Sequence, residues 1–205
     1  MTPAGRPVCA QCGAPIPGAF DAQSRCASCR NTSPAFDRAC APWRYTGAIR
    51  QAVRQWKYHR RWRIGRWLAQ EMAETANHSL PIDAIDAVVP VPLHWLKRQL
   101  RGGNPPEELA RDLARRLGKP LLARSLRRAR WTTTQTRLRG GARFRNVRHA
   151  FTARASEVRG RTLLLVDDVL TSGATAQACA LALKTAGAAG VFVLTAARTP
   201  RHRLN

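Results

Sequence analysis

The stretch from Leu163 to Thr175, LLLVDDVLTSGAT, limits what this chain can fold into more than any other. A run of aliphatic residues of buried-strand type ends in two adjacent carboxylates, Asp167 and Asp168, and passes into a small hydroxyl-rich turn around Gly173. Ala174 to Ala186 is then rich in helix formers, so the order is strand, acids, loop, helix. At such a helix start the backbone N–H groups and the dipole favour a phosphate, and the acids face whatever the phosphate carries. An Asp-Asp strand end also suits the metal-holding strand of an NTPase, but no G-x-x-x-x-G-K-[ST] stretch lies upstream. The plainer alternative is a pair of acids that only cap a loop.

The surrounding segments repeat the rhythm. Ala84 to Val89 reads as a first core strand running into Pro90-Val91-Pro92, where prolines force the backbone into a loop. That loop carries Lys97, Arg98 and Arg101, cations suited to a pyrophosphate. Asn104, Pro105 and Glu107 predict a helix start with Asn104 as cap, Leu109, Leu113 and Leu117 as the apolar stripe, and Gly118 with Pro120 as the stop. Residues 77–83 read as a linker, Gly187 stops the helix after the acidic loop, and Val191 to Ala197 is a final buried strand. Strand, helix and strand in this sequence predict an α/β fold with a parallel sheet, right-handed crossovers and a ligand site at the carboxyl ends of the strands.

At 205 residues the chain can build one core and a small appendage. Its net charge of +23 points to a polyanionic partner such as nucleic acid or, less specifically, an acidic membrane surface. The excess is +8 over residues 1–80, +12 over 81–160 and only +3 beyond, so most of it lies upstream of the acidic loop. No apolar run is long enough to span a bilayer, since Ala180 to Ala197 is interrupted by Lys184, Thr185 and glycines. The start of the sequence has no apolar signal core and moves directly into a cysteine motif, which predicts a cytoplasmic protein that is not an integral membrane protein.

Cys9, Cys12, Cys26 and Cys29 form a C-x2-C…C-x2-C array. Two thiolate pairs on tight turns can meet in a tetrahedron around Zn²⁺, and Gly13 suits the first turn. The segment is poor in large apolar residues, so metal would supply its folding energy. Disulfides are the other reading and require an oxidising compartment. Four thiolates leave no open position, so a zinc here is structural.

Two basic segments follow. From Trp43 to Trp67, tryptophans 43, 56, 62 and 67 are interleaved with Arg50, Arg54, Lys57, Arg60, Arg61 and other arginines, and no acid occurs between Asp37 and Glu71. A helix from about Gly47 to Tyr58 would put Ile49, Val53 and Trp56 on one face and Arg50, Arg54 and Lys57 on another. A second helix would use Ile64, Trp67, Leu68 and Met72. Arginines among aromatic rings suit single-stranded nucleic acid, whereas the competing reading packs the rings in the core and leaves the arginines solvated. From Arg124 to Arg148, nine arginines without an acid, Arg128, Arg130, Arg137, Arg139 and Arg143 among them, form an active-site flap, an anion surface or a solvated face.

The Leu163–Thr175 stretch resembles the ribose-phosphate loop of type I phosphoribosyltransferases. Taken with the four cysteines, Lys57-Tyr58, Val91-Pro92-Leu93, Arg101-Gly102, the Arg128 to Gln135 and Arg143 to Val147 motifs and Ala150-Phe151, it is similar to the ComF family, across residues 9 to 198. The chain departs from the family pattern at Arg60, Gly103 and Pro105. The resemblance implies a phosphoribosyltransferase-like sheet flanked by helices with a small N-terminal zinc ribbon. It also implies a phosphoribosyl pyrophosphate (PRPP) ligand accompanied by Mg²⁺, and a role in handling single-stranded DNA during uptake and transformation, alongside DNA-uptake or helicase proteins. Carried onto this chain, Asp167 and Asp168 hold the ribose, as catalytic residues if turnover occurs. The loop of Thr171, Ser172, Gly173, Ala174 and Thr175 takes the 5′-phosphate, and Arg101, Arg128 and Arg130 meet the pyrophosphate. Arg50, Arg54, Lys57, Arg60, Arg61, Arg137, Arg139 and Arg143 are the nucleic-acid candidates.

The expected organisation is a ribbon over residues 1–42, a basic tryptophan-rich helical segment over 43–80, and the phosphoribosyltransferase-like domain over 81–205. In the 6-oxopurine enzymes of that wider group an acid stands where this chain has Thr171, and a threonine is no general base near neutral pH. Purine salvage is therefore disfavoured. Two readings stay open, a nucleic-acid-handling protein that binds PRPP or a related ligand, and an active phosphoribosyltransferase on another base or amine. A ligand-sensing transcriptional regulator is a third, without a recognition-helix pattern to support it.

Overall fold

Four consecutive residues with no exposed surface, Leu163 to Val166, require a strand covered on both faces, which is the environment of a central parallel strand. The computed structural model describes residues 7–16, 23–59, 61–93, 104–128 and 150–200 and places them so. In chain order the elements are helix α1 (Ala27–Asn31), strands β1 (Arg38–Cys40) and β2 (Trp43–Arg44), and helices α2 (Gly47–His59) and α3 (Trp62–Ser79). A 3-10 turn (Ile82–Ala84) leads to β3 (Ala87–Pro90), α4 (Pro105–Leu117), β4 (Leu126–Arg128), β5 (Phe151–Ala153) and α5 (Ala155–Val158). Strand β6 (Thr162–Leu170), helix α6 (Ala174–Thr185) and strand β7 (Gly190–Arg198) complete the described chain.

The main sheet runs β1-β7-β6-β3, with every pairing parallel, and β2 continues the β1 edge along β7. In register, Leu164 lies between Val88 and Phe192, and Leu165 between Val89 and Val193. Strands β4 and β5 form a separate antiparallel pair against α6. The alternation of β6 sends Leu163 and Leu165 toward α6, where they pack with Ala176, Cys179, Ala180 and Leu183. Leu164 and Val166 go to the opposite layer with Leu68 and Met72 of α3 and Leu109 and Leu113 of α4. This is the expected α/β sheet flanked by helices, with the cysteine segment against the β1 edge near the carboxyl ends of β6 and β7.

Four details differ from the sequence reading, beginning with the first core strand, which is Ala87–Pro90, with Pro90 paired to Val166, rather than Ala84 to Val89. Residues 77–79 are the end of α3 rather than linker, because the buried stripe of Leu68, Ala69, Met72 and Ala73 continues to Ala76. The side chain of Asn104 makes no cap bond to α4; its backbone carbonyl accepts from Glu107 and Glu108, while Oδ1 is buried without a hydrogen-bond partner among the described residues. Gly118 does close that helix in the left-handed conformation, at φ 63°. Strands β1 and β2 were also not foreseen, and they join the cysteine segment to the sheet edge. Asp37 N donates to Val191 O (2.9 Å), and Ala39 N donates to Gln11 O (2.7 Å).

The α2–α3 contact is close at one point. A Cβ on Gly65 would lie 2.7 Å from Nε1 of Trp56, whose ring is buried. Gly65→Ala gains up to about 1 kcal/mol of helix propensity, but overpacking a fixed indole costs about 1–3 kcal/mol. Net destabilisation is expected, read as a lower denaturant midpoint with unchanged slope; a higher midpoint would show that Trp56 moves freely.

Candidate functional site

The acids do not end their strand. β6 continues to Leu170, with Asp167 opposite Thr195 and Val169 opposite Ala197 of β7. Residues 167 and 168 therefore alternate like their predecessors. Asp167 falls on the α6 side, where its charge acts on Cys179, and Asp168 on the side of α2. Asp168 N donates to Asp167 Oδ1 at 2.8 Å, which ties the two carboxyl groups together across the backbone.

Lys57 supplies the third charge. Its Nζ lies 2.6 Å from Asp168 Oδ2, with the two side chains only 15% and 14% exposed. The sequence reading placed Lys57 among the nucleic-acid candidates; the structure turns it inward, to the acid. Burial, and next the charge of Asp168, push the Asp167 carboxyl far above the ordinary aspartate range; the bond from Asp168 N and the charge of Lys57 oppose them. A carboxyl that holds its proton more tightly folded than unfolded loses stability as pH rises from about 4, the ordinary aspartate value, toward its raised one. Asp167→Asn removes that loss. Its melting temperature should exceed the parent's by a margin that widens from pH 5 to pH 8, at about 2–4 °C per kcal/mol. A constant or reversed margin in thermal melts would contradict it.

Beyond the acids, Thr171 and Ser172 are exposed, and Gly173 takes φ 87° as the residue before α6. Among the described residues nothing lies within 4 Å of a Cβ built there, so backbone conformation calls for glycine. Gly173 O accepts from Gln177 N at 2.8 Å, and Ala174 N points to Ser172 Oγ at 3.4 Å. The loop thus presents a helix start beside the two carboxyl groups, as the sequence predicts. Arg128 lies on β4 with its guanidinium 5.5 Å from the Phe151 ring centre, and burial lowers its pKa. Arg60, Arg101, Arg130, Arg137, Arg139 and Arg143 lie outside the described residues.

The tryptophans divide between the two readings. Trp56 is buried, and Trp43 and Trp67 stack at 5.9 Å between ring centres, so these three pack. Trp62, at 55%, and Tyr58, at 58%, are the exposed large hydrophobics among the described residues. They lie at the α2–α3 corner with exposed Arg54, Arg61, Arg63 and Arg66, while Arg50 is exposed earlier on α2.

The ribbon cysteines meet. One sulfur from each of Cys9, Cys12, Cys26 and Cys29 lies within 4.8 Å of the others, and Cys12 Sγ to Cys26 Sγ is 3.7 Å. The edge of a ZnS₄ tetrahedron is about 3.8 Å, given Zn–S bonds of about 2.3 Å, so the donor set fits zinc. Backbone N–H groups of Cys12 and Cys26 donate to Cys9 Sγ at 3.5 and 3.3 Å, as thiolate-supporting bonds do. A Cβ on Gly13 would stand 2.8 Å from Ala39 O, so this turn abuts the sheet edge.

No protein-family model matches the chain. Curated relatives do. The chain is 34% identical over 196 residues to the DNA utilization protein YhgH of Salmonella typhimurium, covering 94% of this chain and 84% of that protein. The chain belongs to the ComF family. Within the family it is 31% identical over 195 residues to YhgH of Escherichia coli K12, covering 94% of this chain and 84% of that one. To competence protein F of Haemophilus influenzae it is 28% identical over 197 residues, covering 94% and 85%. Among solved structures this ComF-family chain is similar to the allosteric regulatory enzyme of purine biosynthesis, at TM-score 0.43 and 24% identity over 64% of the chain. Glutamine PRPP amidotransferase from B. subtilis, complexed with ADP and GMP, gives 0.41 and 23% over 71%. The chain spans a quarter of each. Among the described residues no helix is long and apolar enough to cross a membrane.

Proposed function

We propose that the chain binds PRPP or a related ribose 5-phosphate ligand at the β6–α6 loop and single-stranded DNA on the α2–α3 corner, and that it acts in DNA uptake; its relatives' names, DNA utilization protein and competence protein, support this reading. The observation that carries this reading is the double role of α2. One turn of that helix sends Lys57 to Asp168 and leaves Arg54 and Tyr58 in solvent. A ribose-phosphate site and a basic aromatic surface are thereby built on one element.

In this reading the loop of Thr171 to Thr175 receives the 5′-phosphate, and Asp167 and Asp168 receive the sugar hydroxyls. Because Lys57 already neutralises Asp168, Mg²⁺ is assigned to the ligand's phosphates, where it would screen their charge, with Asp168 Oδ1 left to meet a hydroxyl or metal-bound water. Titration calorimetry with PRPP and Mg²⁺ tests the first half. Binding that is lost in Asp168→Asn supports it, and no heat from the parent protein refutes it. Labelled oligothymidine tests the second half. Affinity should fall steeply and linearly in log-log plots against salt, with a slope near −0.7 per phosphate contacted; binding indifferent to salt would refute it.

Burial and the charge of Asp168 raise the Asp167 pKa, whereas Thr171 offers no acid–base group near neutral pH. If the chain is a phosphoribosyltransferase, pyrophosphate release with some base or amine exceeds background and vanishes in Asp168→Asn. A panel of acceptors without release leaves the domain as a binder.

A further inference from the structure

Arg198, at the end of β7, is 2% exposed, and its guanidinium is spent on backbone carbonyls of two separate parts of the chain. Nε donates to Cys12 O of the ribbon at 3.2 Å. Nη1 donates to Leu170 O at 2.7 Å and to Thr171 O, where β6 becomes the acidic loop, and reaches Thr199 O at 3.5 Å. A planar guanidinium holds such acceptors at fixed relative positions, and a buried charge makes each of them costly to lose.

The space around this strut shows why it matters. A cavity of about 520 Å³ lies between the ribbon, at Cys12, Cys29 and Phe36, and the loop, at Ser172, Gly173 and Ala174. Besides the β1–β7 pairing and the bonds between Asp37 and Val191, three links join the ribbon side to the sheet and α6: Arg198, the bond from Ala35 N to Gln177 Oε1 at 2.6 Å, and Lys184 to Asp37 at 2.7 Å. Of these three links Arg198 grips both a cysteine of the metal cluster and the loop itself.

We infer that Arg198 is a positioning residue for the phosphate loop, braced against the zinc ribbon, so that metal in the ribbon and ligand in the loop stabilise one another. The inference rests on the loop being a ribose-phosphate site. Metal bound to Cys12 Sγ fixes the Cys12 carbonyl. That carbonyl orients the guanidinium, and the guanidinium holds Leu170 and Thr171 where the backbone N–H groups after them converge. The coupling is reciprocal, because a ligand that favours the ordered loop must favour the metal-loaded ribbon by the same factor.

The test is the zinc affinity of the parent protein, by competition with a metallochromic chelator, with and without saturating PRPP and Mg²⁺. Couplings of this type amount to about 5- to 150-fold, so at least a fivefold tighter hold on zinc is expected with PRPP. Arg198→Met should bind one zinc and still show no change on adding PRPP, while Arg198→Lys keeps part of the effect. A purely structural arginine would weaken both affinities without altering their mutual dependence. If the parent binds PRPP and its zinc affinity is unmoved, the inference falls and the ligand assignment stands. If the zinc-loaded parent binds no PRPP, the ligand assignment falls, and the inference with it. The parent measurement decides even where Arg198→Met does not fold.

Discussion

Lys57→Met should weaken PRPP binding by about 10- to 100-fold, or roughly 1.4–2.8 kcal/mol, while Arg54→Gln on the same helix leaves it within about twofold. The reason is the environment of the pair. Lys57 and Asp168 are 2.6 Å apart and each about 15% exposed, so water does little to replace a lost partner. Breaking a fully buried pair from one side costs about 3–5 kcal/mol, and the residual exposure here reduces that figure. Without the ammonium, the part-buried Asp168 carboxylate loses its ion-pair partner while Asp167 still lies next to it along the strand. Loss of the ammonium also removes a cation from beside a polyphosphate ligand, whose charge then meets Asp168 unscreened. Lys57→Arg should recover part of the affinity, since it restores charge but not the compact ammonium geometry. Arg54 is exposed and serves as the control for net charge. Calorimetry on the three variants checks the prediction. Equal affinities for Lys57→Met and the parent would remove Lys57 from the site.

The second large effect concerns single-stranded DNA. Tyr58 and Trp62 expose more than half of their surfaces in a field of arginines. Stacking contributes about 1–3 kcal/mol per base, so Tyr58→Ala and Trp62→Ala should each weaken oligothymidine binding by about 5- to 100-fold. Neither ring is charged, so the salt slope should stay as in the parent. Arg50→Gln and Arg54→Gln should act in the opposite sense, with a modest loss of affinity and a slope shallower by about one phosphate each. Fluorescence anisotropy across a salt series separates the two. Unchanged affinity in the Tyr58/Trp62 double alanine variant would move the DNA surface elsewhere on the molecule.

The parts of this fold that sequence made legible are those with strong local patterns. Leu163 to Val166 has no polar residue, and α2 repeats Ile49, Val53 and Trp56 at helical spacing, so both announced themselves. β1 and β2 are three and two residues long and carry no period to detect. They exist because β7 offers them hydrogen bonds, which is tertiary information. The orientation of the acids was half legible. A period of two already puts adjacent residues on opposite faces, but only the pairing of β6 with β7 out to Leu170 shows that the period still holds at Asp167 and Asp168. The role of Lys57 was hidden by its company: among arginines on an amphipathic helix it reads as one more surface cation. Its partner belongs to a strand far along the chain, and no local signal connects them. The four cysteines were the reverse case, since their spacing alone brought the sulfurs together.

The edge formed by β1 has a consequence for how the chain reaches its native state. Arg38, Ala39 and Cys40 pair with Phe192, Val193 and Leu194, so an early segment closes the sheet against the strand that comes after all the others. β7 enters between β1 and β6, a slot whose two walls are both in place before it is synthesised. Until then β6 has one side unpaired, and the ribbon has no sheet edge to rest on. A nascent chain lacking β7 therefore leaves the apolar run Leu163 to Val166 of β6 with an unpaired edge, which favours aggregation and engagement by chaperones. Cutting the ribbon away at residue 37 would leave β1 without the backbone bond from Ala39 to Gln11, and cutting after β1 would open the β7 edge over Phe192 to Leu194.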